Sequence, residues 1–125
     1  MNQGNTNRFT NLEVWQKAIK TAGLVYKVIK VFPSEEKYAL CDQMRRSVVS
    51  ISSNIAEGQA RGSNNAFINH LNISKGSSAE VQSQLYIALE LGYASTDIIE
   101  PVINELINID KMLNKLISYL ERHKD

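Results

Sequence analysis

The feature that most constrains this chain is the spacing of its apolar residues, which recur every three or four positions through four successive segments. That period is the α-helical one, and it gathers each set onto one face of a helix. In residues 12–32 the inward stripe reads Leu12, Trp15, Ile19, Ala22, Tyr26 and Ile29. Thr10 and Glu13 have the spacing of a capping box, which predicts the start of this helix. Pro33 predicts its end, because proline disfavours helical geometry at the preceding Phe32. Ser34, followed by Glu35 and Glu36, then reads as the cap of a second helix over 35–59. Its stripe is Cys41, Met44, Val48, Ile51 and Ile55.

The run from Gly58 to Ser63 reads as a C-cap, a short loop and a new start. The third segment, 64–91, keeps Phe67, Leu71, Ser74, Ser78, Val81, Leu85 and Ala88 in register. Gly76 sits inside it at a propensity cost of roughly 1 kcal/mol relative to Ala, which predicts close approach of a neighbouring helix there. The fourth stripe is Ile99, Val102, Leu106, Ile109, Leu113, Leu116 and Leu120. Pro101 fits the first position of its main helix, with Ser95 or Thr96 opening a short turn before it. Short connections make successive helices antiparallel neighbours. The expected fold is therefore all-α, an up-down-up-down four-helix bundle over residues 11–122. A polar leader over 1–10 precedes it and a tail over 123–125 follows.

Composition agrees with one such domain. The 125 residues are 43% hydrophobic and 22% charged with 2 Pro, which excludes a disordered chain, and 7% aromatic content disfavours a β-barrel. Cys41 is the single cysteine, so neither a disulfide within the chain nor a cysteine-based zinc cluster is available. No stretch approaches the ~20 apolar residues of a membrane span, and the N-terminal residues carry no secretory apolar core. The expected compartment is the cytoplasm.

Charge is nearly balanced at +1 but unevenly spread. Residues 1–32 carry Arg8, Lys17, Lys20, Lys27 and Lys30 against Glu13 alone, while 95–125 are net acidic. Lys20, Lys27 and Lys30 share one strip of the first helix, a candidate surface for tracking phosphates or, more simply, a solvated face. The second helix bears a polar stripe of Gln43, Ser47, Ser50, Asn54, Glu57 and Arg61, widened by Arg46 and Ser53. Serines are poor helix formers, so this stripe marks either close helix packing or a polar binding face. Arg can grip a carboxylate or phosphate with two prongs, and Asn can anchor a backbone or base edge. Trp15, Tyr26 and Tyr38 read as core and rim residues, whereas Tyr86 and Tyr93 read as partly exposed. His70 and His123 have no metal-ligand partner at helical spacing, and no Walker loop, dinucleotide fingerprint or nucleophile elbow occurs. No enzyme, cofactor, metal or small-molecule substrate is expected.

Several blocks together resemble a known family. They run from Leu12-Glu13-Val14-Trp15-Gln16-Lys17-Ala18 and Phe32-Pro33 to Gln43-Met44-Arg45-Arg46-Ser47 and Ser50-Ile51-Ser52-Ser53-Asn54-Ile55-Ala56-Glu57-Gly58. Arg61, Ser63, Gly76-Ser77, Glu80, Gln84-Leu85 and Leu91-Gly92-Tyr93 continue them. The chain is similar to the proteins named after intervening sequences in 23S ribosomal RNA genes. Their fold is shared with the accessory variability proteins of diversity-generating retroelements, which bind a reverse transcriptase and are markedly basic. The resemblance implies a ring-like homopentamer associated with RNA or with a nucleic-acid-handling protein. Ser52 stands where the family usually has proline, implying a softer kink in the second helix, and Ala66 replaces a common acidic residue.

The expected function is that of a non-enzymatic oligomeric binding protein. Lys20, Lys27, Lys30, Arg45 and Arg46 would hold RNA, and Gln43, Ser50, Asn54, Glu57 and Arg61 would form a structural or partner-binding motif. The alternative is a protein adaptor that works through the polar face of the second helix without touching nucleic acid.

Overall fold

A computed structural model describes residues 8–124, so most of the expected leader and the last residue of the tail lie outside the described residues. Among those described are four long helices, α1 (Glu13–Ile29), α2 (Leu40–Ala60), α3 (Asn64–Glu90) and α4 (Thr96–Glu121), and no strand. Each helix packs on its neighbours in the chain, and α4 closes the ring of four against α1. Paired contacts run in opposite directions: Ser47, Ser50 and Asn54 of α2 meet Gln84, Ser77 and His70 of α3. This is an antiparallel four-helix bundle with one core.

The stripes of α2, α3 and α4 face that core as their spacing predicts. Met44, Val48, Ile51 and Ile55 pack with Leu71, Val81, Leu85, Leu106, Ile109 and Leu113, all completely buried. Helix α1 differs. Its buried face is Val14, Ala18, Thr21, Val25, Val28 and Ile29, one residue out of step with the expected stripe except at Ile29, which belongs to both. Ile19 is 44% exposed and Tyr26 39%, while Trp15 and Ala22 are half-buried. One residue is 100° of helix, so α1 carries two adjacent apolar stripes, and the bundle buries the one with smaller side chains.

Helix ends also depart from expectation. Thr10 does not cap α1; Phe9–Asn11 form a 3₁₀ turn, and Leu12 takes the cap position without a side-chain bond. The Gln16 amide instead donates to the Thr10 carbonyl at 2.8 Å, and Phe9 meets Trp15 edge-on at 5.2 Å. Ser34 opens only a 3₁₀ turn (Ser34–Glu36), so α2 begins at Leu40, whose N–H lies 3.4 Å from Glu36 Oε1. Tyr38, in the intervening turn, is 82% exposed and belongs to neither core nor rim. The left-handed residue after α2 is Gly62 (φ +83°), not Gly58, which is buried inside the helix. Ser63 caps α3 by accepting from the Ala66 N–H at 3.1 Å. A methyl group at Gly76 would meet nothing within 4 Å, so this glycine marks no close approach. Pro101 lies within α4, whose first residue is Thr96; the helix loses one ladder donor near its start and continues. Helix α2 runs unbroken through Ser52, whose hydroxyl donates to the Val49 carbonyl at 3.2 Å.

At the end of the bundle that holds the α1–α2 and α3–α4 connections, Tyr93 Oη donates to Glu36 Oε2 at 2.6 Å, and its ring leans on Phe32 at 5.6 Å. The carboxylate acceptor holds the Tyr93 phenol above the ordinary tyrosine range. At the opposite end Asn64 Nδ2 donates to the His123 carbonyl at 2.6 Å.

Candidate functional site

The polar stripe of α2 faces α3 for most of its length. Ser77 Oγ donates to Ser50 Oγ at 2.8 Å, and Ser74 Oγ donates to the Ile51 carbonyl at 2.9 Å. Gln84 Nε2 reaches Ser47 Oγ at 3.4 Å. Asn54 donates to the Ser50 carbonyl and hydroxyl, both at 3.0 Å, and its Oδ1 lies 3.0 Å from His70 Nδ1. One turn on, a Cβ built at Gly58 would stand 2.6 Å from the Cβ of His70. Small side chains therefore bring the two backbones together, and most of the polar groups find partners across the seam, the buried Gln84 Oε1 having none among the described residues.

Two members of the predicted motif, Ser50 and Asn54, thus lie inside this seam. Glu57 and Arg61 flank its exposed end and pair with each other at 2.8 Å, with His70 Nε2 3.9 Å from the same carboxylate. The Arg61 hydrogen bond, seconded by the His70 charge, holds the Glu57 carboxyl below the usual glutamate range. Gln43 is exposed at the other end, beside Arg46 and Glu80, where the surface forms a depression of about 250 Å³.

The predicted basic set does not gather in one place. Lys20, Lys27 and Lys30 are exposed along α1, and among the described residues none of them forms an ion pair. Lys17 is the α1 lysine that engages α4, 2.7 Å from Glu105. Lys20 borders the same α1–α4 groove, which also holds Glu13 and Lys111. Arg45 and Arg46 diverge by one helical step. Arg45 donates to the Lys37 carbonyl at 3.0 Å, while Arg46 reaches Asp42 Oδ2 at 3.3 Å and turns toward Gln43. Lys30 and Arg45 do converge, with Lys37 as a third cation, around a depression of about 290 Å³. Among the described residues, no three His, Cys, Asp or Glu side chains are grouped to hold a metal. Among the described residues, no helix is long and apolar enough to cross a membrane.

On the outer face of α1, Lys20 lies toward α4 and Tyr26 toward Arg45 of α2, so the second apolar stripe runs beside the lysine strip on the same helix. On α2, Val49 is likewise 43% exposed.

A family model described as 23S rRNA-intervening sequence protein matches residues 10–115. The chain belongs to this family. Its bundle is similar to the crystal structure, at 1.70 Å resolution, of a protein of unknown function from the S23 ribosomal protein family of Bacteroides thetaiotaomicron VPI-5482. The TM-score is 0.78 at 28% identity, over 84% of this chain and 95% of that one. No curated protein sequence matches.

For this intervening-sequence family protein, sequence reasoning gave no site role to Lys37, His70, Ser77 or Gln84. The last three were legible as helix-face residues, but their partners on α2 lie 16 to 37 positions away. Lys37 falls inside the helix expected over 35–59, whereas the structure places it in the turn before α2.

Proposed function

We propose that this protein is a non-enzymatic, self-assembling binding protein that presents repeated basic strips to RNA or to a ribonucleoprotein in the cytoplasm. A ring-like homopentamer is the assembly proposed. The observation that carries the reading is the solvent face of α1, where an apolar stripe and a lysine strip lie side by side. Ile19, with Trp15 and Ala22 half-buried beside it, offers apolar area to a second copy. Lys20, Lys27 and Lys30 are paired with no carboxylate among the described residues, so their charge is free to meet phosphates.

With a net charge of +1, one copy binds a polyanion weakly. Repetition around a ring raises the effective concentration of every further contact. The family description refers to intervening sequences of 23S rRNA, and the similar crystal structure is assigned to the S23 ribosomal proteins, both in keeping with an RNA partner. The adaptor reading has less surface to work with, because α3 buries Ser47 and half-covers Ser50 and Asn54.

Native mass spectrometry of protein purified at low salt without nuclease tests this. The expected species is a pentamer carrying RNA that dissociates as salt rises, with a slope of about −0.7 in log affinity per phosphate contact on a single strand. Lys20→Gln with Lys27→Gln should shed the RNA and keep the pentamer; Ile19→Glu should break the pentamer. RNA retention that ignores salt, or no retention at all, overturns the electrostatic reading. A bare monomer overturns the assembly, and a clean pentamer points to a protein partner.

A further inference from the structure

The depression between the end of α1, the turn after it and the start of α2 lies outside the α2–α3 seam. Three cations line it, Lys30, Lys37 and Arg45, and no carboxylate does. Tyr26, Phe32 and Pro33 give it an apolar wall. Neither lysine forms an ion pair among the described residues; the Lys37 ammonium lies only over the Tyr38 ring, 5.4 Å from its centre.

Arg45 is held by one bond to the Lys37 carbonyl at 3.0 Å, with Asp42 Oδ1 at 3.6 Å. A guanidinium has five N–H donors, so that single bond ties Arg45 to the Lys37 turn and leaves most of its fork unused. Asp42 is shared with Arg46 on its other side, which thins the negative charge it returns to Arg45. The volume of about 290 Å³ sits at the lower edge of small-molecule sites, roughly 300 Å³. That is room for a phosphate with one attached ring, and for little more.

We propose that this depression is a phosphate-binding site that takes one nucleotide unit of an RNA strand. Lys30, Lys37 and Arg45 grip the phosphate, Arg45 through its fork and the lysines as point charges. Tyr26 and Pro33 line the space beside it, where the attached sugar or base packs. The inference rests on the RNA reading above and names the contact that anchors the strand, Lys20 and Lys27 lying further along α1. A free phosphate has the same chemistry and is separated from RNA by the test.

The assay is lysine acetylation of the full chain at low reagent levels, read residue by residue by mass spectrometry, with inorganic phosphate and with a short oligouridine as probes. Both probes should protect Lys30 and Lys37 while Lys115 of α4 reacts as before. Arg45→Gln should abolish that protection. Lys30→Gln with Lys37→Gln, both exposed positions, should weaken oligouridine binding at least about 10-fold. Oligouridine that binds with Lys30 and Lys37 unprotected, and with unchanged affinity in the double variant, overturns the site and leaves the RNA reading standing. Protection by phosphate but not by oligouridine overturns the assignment to RNA and gives the site to a free phosphate. Protection by neither probe overturns the site itself.

Discussion

Replacing Gly58 and Gly76 in turn by alanine separates packing from helix propensity within one bundle. Both glycines lie inside long helices, and each alanine should gain roughly 0.5–1 kcal/mol by restricting the unfolded backbone and favouring the helix. At Gly76 the new methyl meets nothing within 4 Å, so the full gain should appear. At Gly58 it would stand 2.6 Å from His70 Cβ and 3.0 Å from Phe67 Cδ1. A Cβ cannot swing aside as a side-chain tip can, so α2 and α3 must part. Overpacking of this kind costs about 1–3 kcal/mol. If the Asn54–His70 bond at 3.0 Å opens as the helices separate, about 1 kcal/mol more is lost. Gly58→Ala should therefore be less stable than Gly76→Ala by about 2–4 kcal/mol. Urea unfolding followed by far-ultraviolet circular dichroism, at one protein concentration for all variants, measures the gap. Equal midpoints for the two variants would refute the close approach at Gly58.

Other consequences are as direct. Thr21 is fully buried and its hydroxyl has no partner among the described residues, so Thr21→Val should raise stability by about 1 kcal/mol in the same urea assay, and a loss would mean the hydroxyl is bonded. The folded-state pKa of Glu57 is depressed, so its contribution is present above the unfolded glutamate value of about 4.3 and is lost as pH falls through the folded one. Glu57→Gln should accordingly be less stable than the parent near neutral pH and converge with it in acid; a constant gap across that range refutes the ion-pair account. Tyr93 has a raised folded-state pKa, so its bond to Glu36 stabilises below about pH 10 and is lost as pH rises through the folded value. Tyr93→Phe should lower the urea midpoint at neutral pH, and the deficit should close in strong alkali.

Most of the bundle was legible because the inward stripes of α2, α3 and α4 keep an unbroken three-four spacing, although Ile73, Ile87 and Ile98 lie exposed away from them. Met44, Val48, Ile51 and Ile55 had no rival face on α2, nor did Leu106, Ile109 and Leu113 on α4. On α1 two stripes compete one residue apart, and apolar character alone does not rank them. The interior decides by volume, taking Val14, Ala18 and Val25, leaving Ile19 and Tyr26 exposed and Trp15 half-buried at its edge. Helix starts failed for a related reason. Thr10 and Ser34 have the right chemistry for a cap, but each sits in a 3₁₀ turn that places its backbone ahead of the helix. For the candidate site, residue types were readable and pairings were not. Ser50 needs Ser77, and Asn54 needs His70, before packing and binding can be told apart. Arg45 and Arg46 read as one basic pair, yet 100° of helix sends them to different surfaces.

The tight polar seam between α2 and α3 also sets an order of events in time. Its two helices are joined by the short turn at Gly62, so their contacts close a small loop and cost little chain entropy. Helices α1 and α4 come together only when the two ends of the chain meet, across a groove rather than a close seam. The central hairpin should form first and open last, with α1 and α4 peeling away from it as outer staves. Amide hydrogen exchange would record this as slow exchange along 47–58 and 67–84 and faster exchange in α1 and α4.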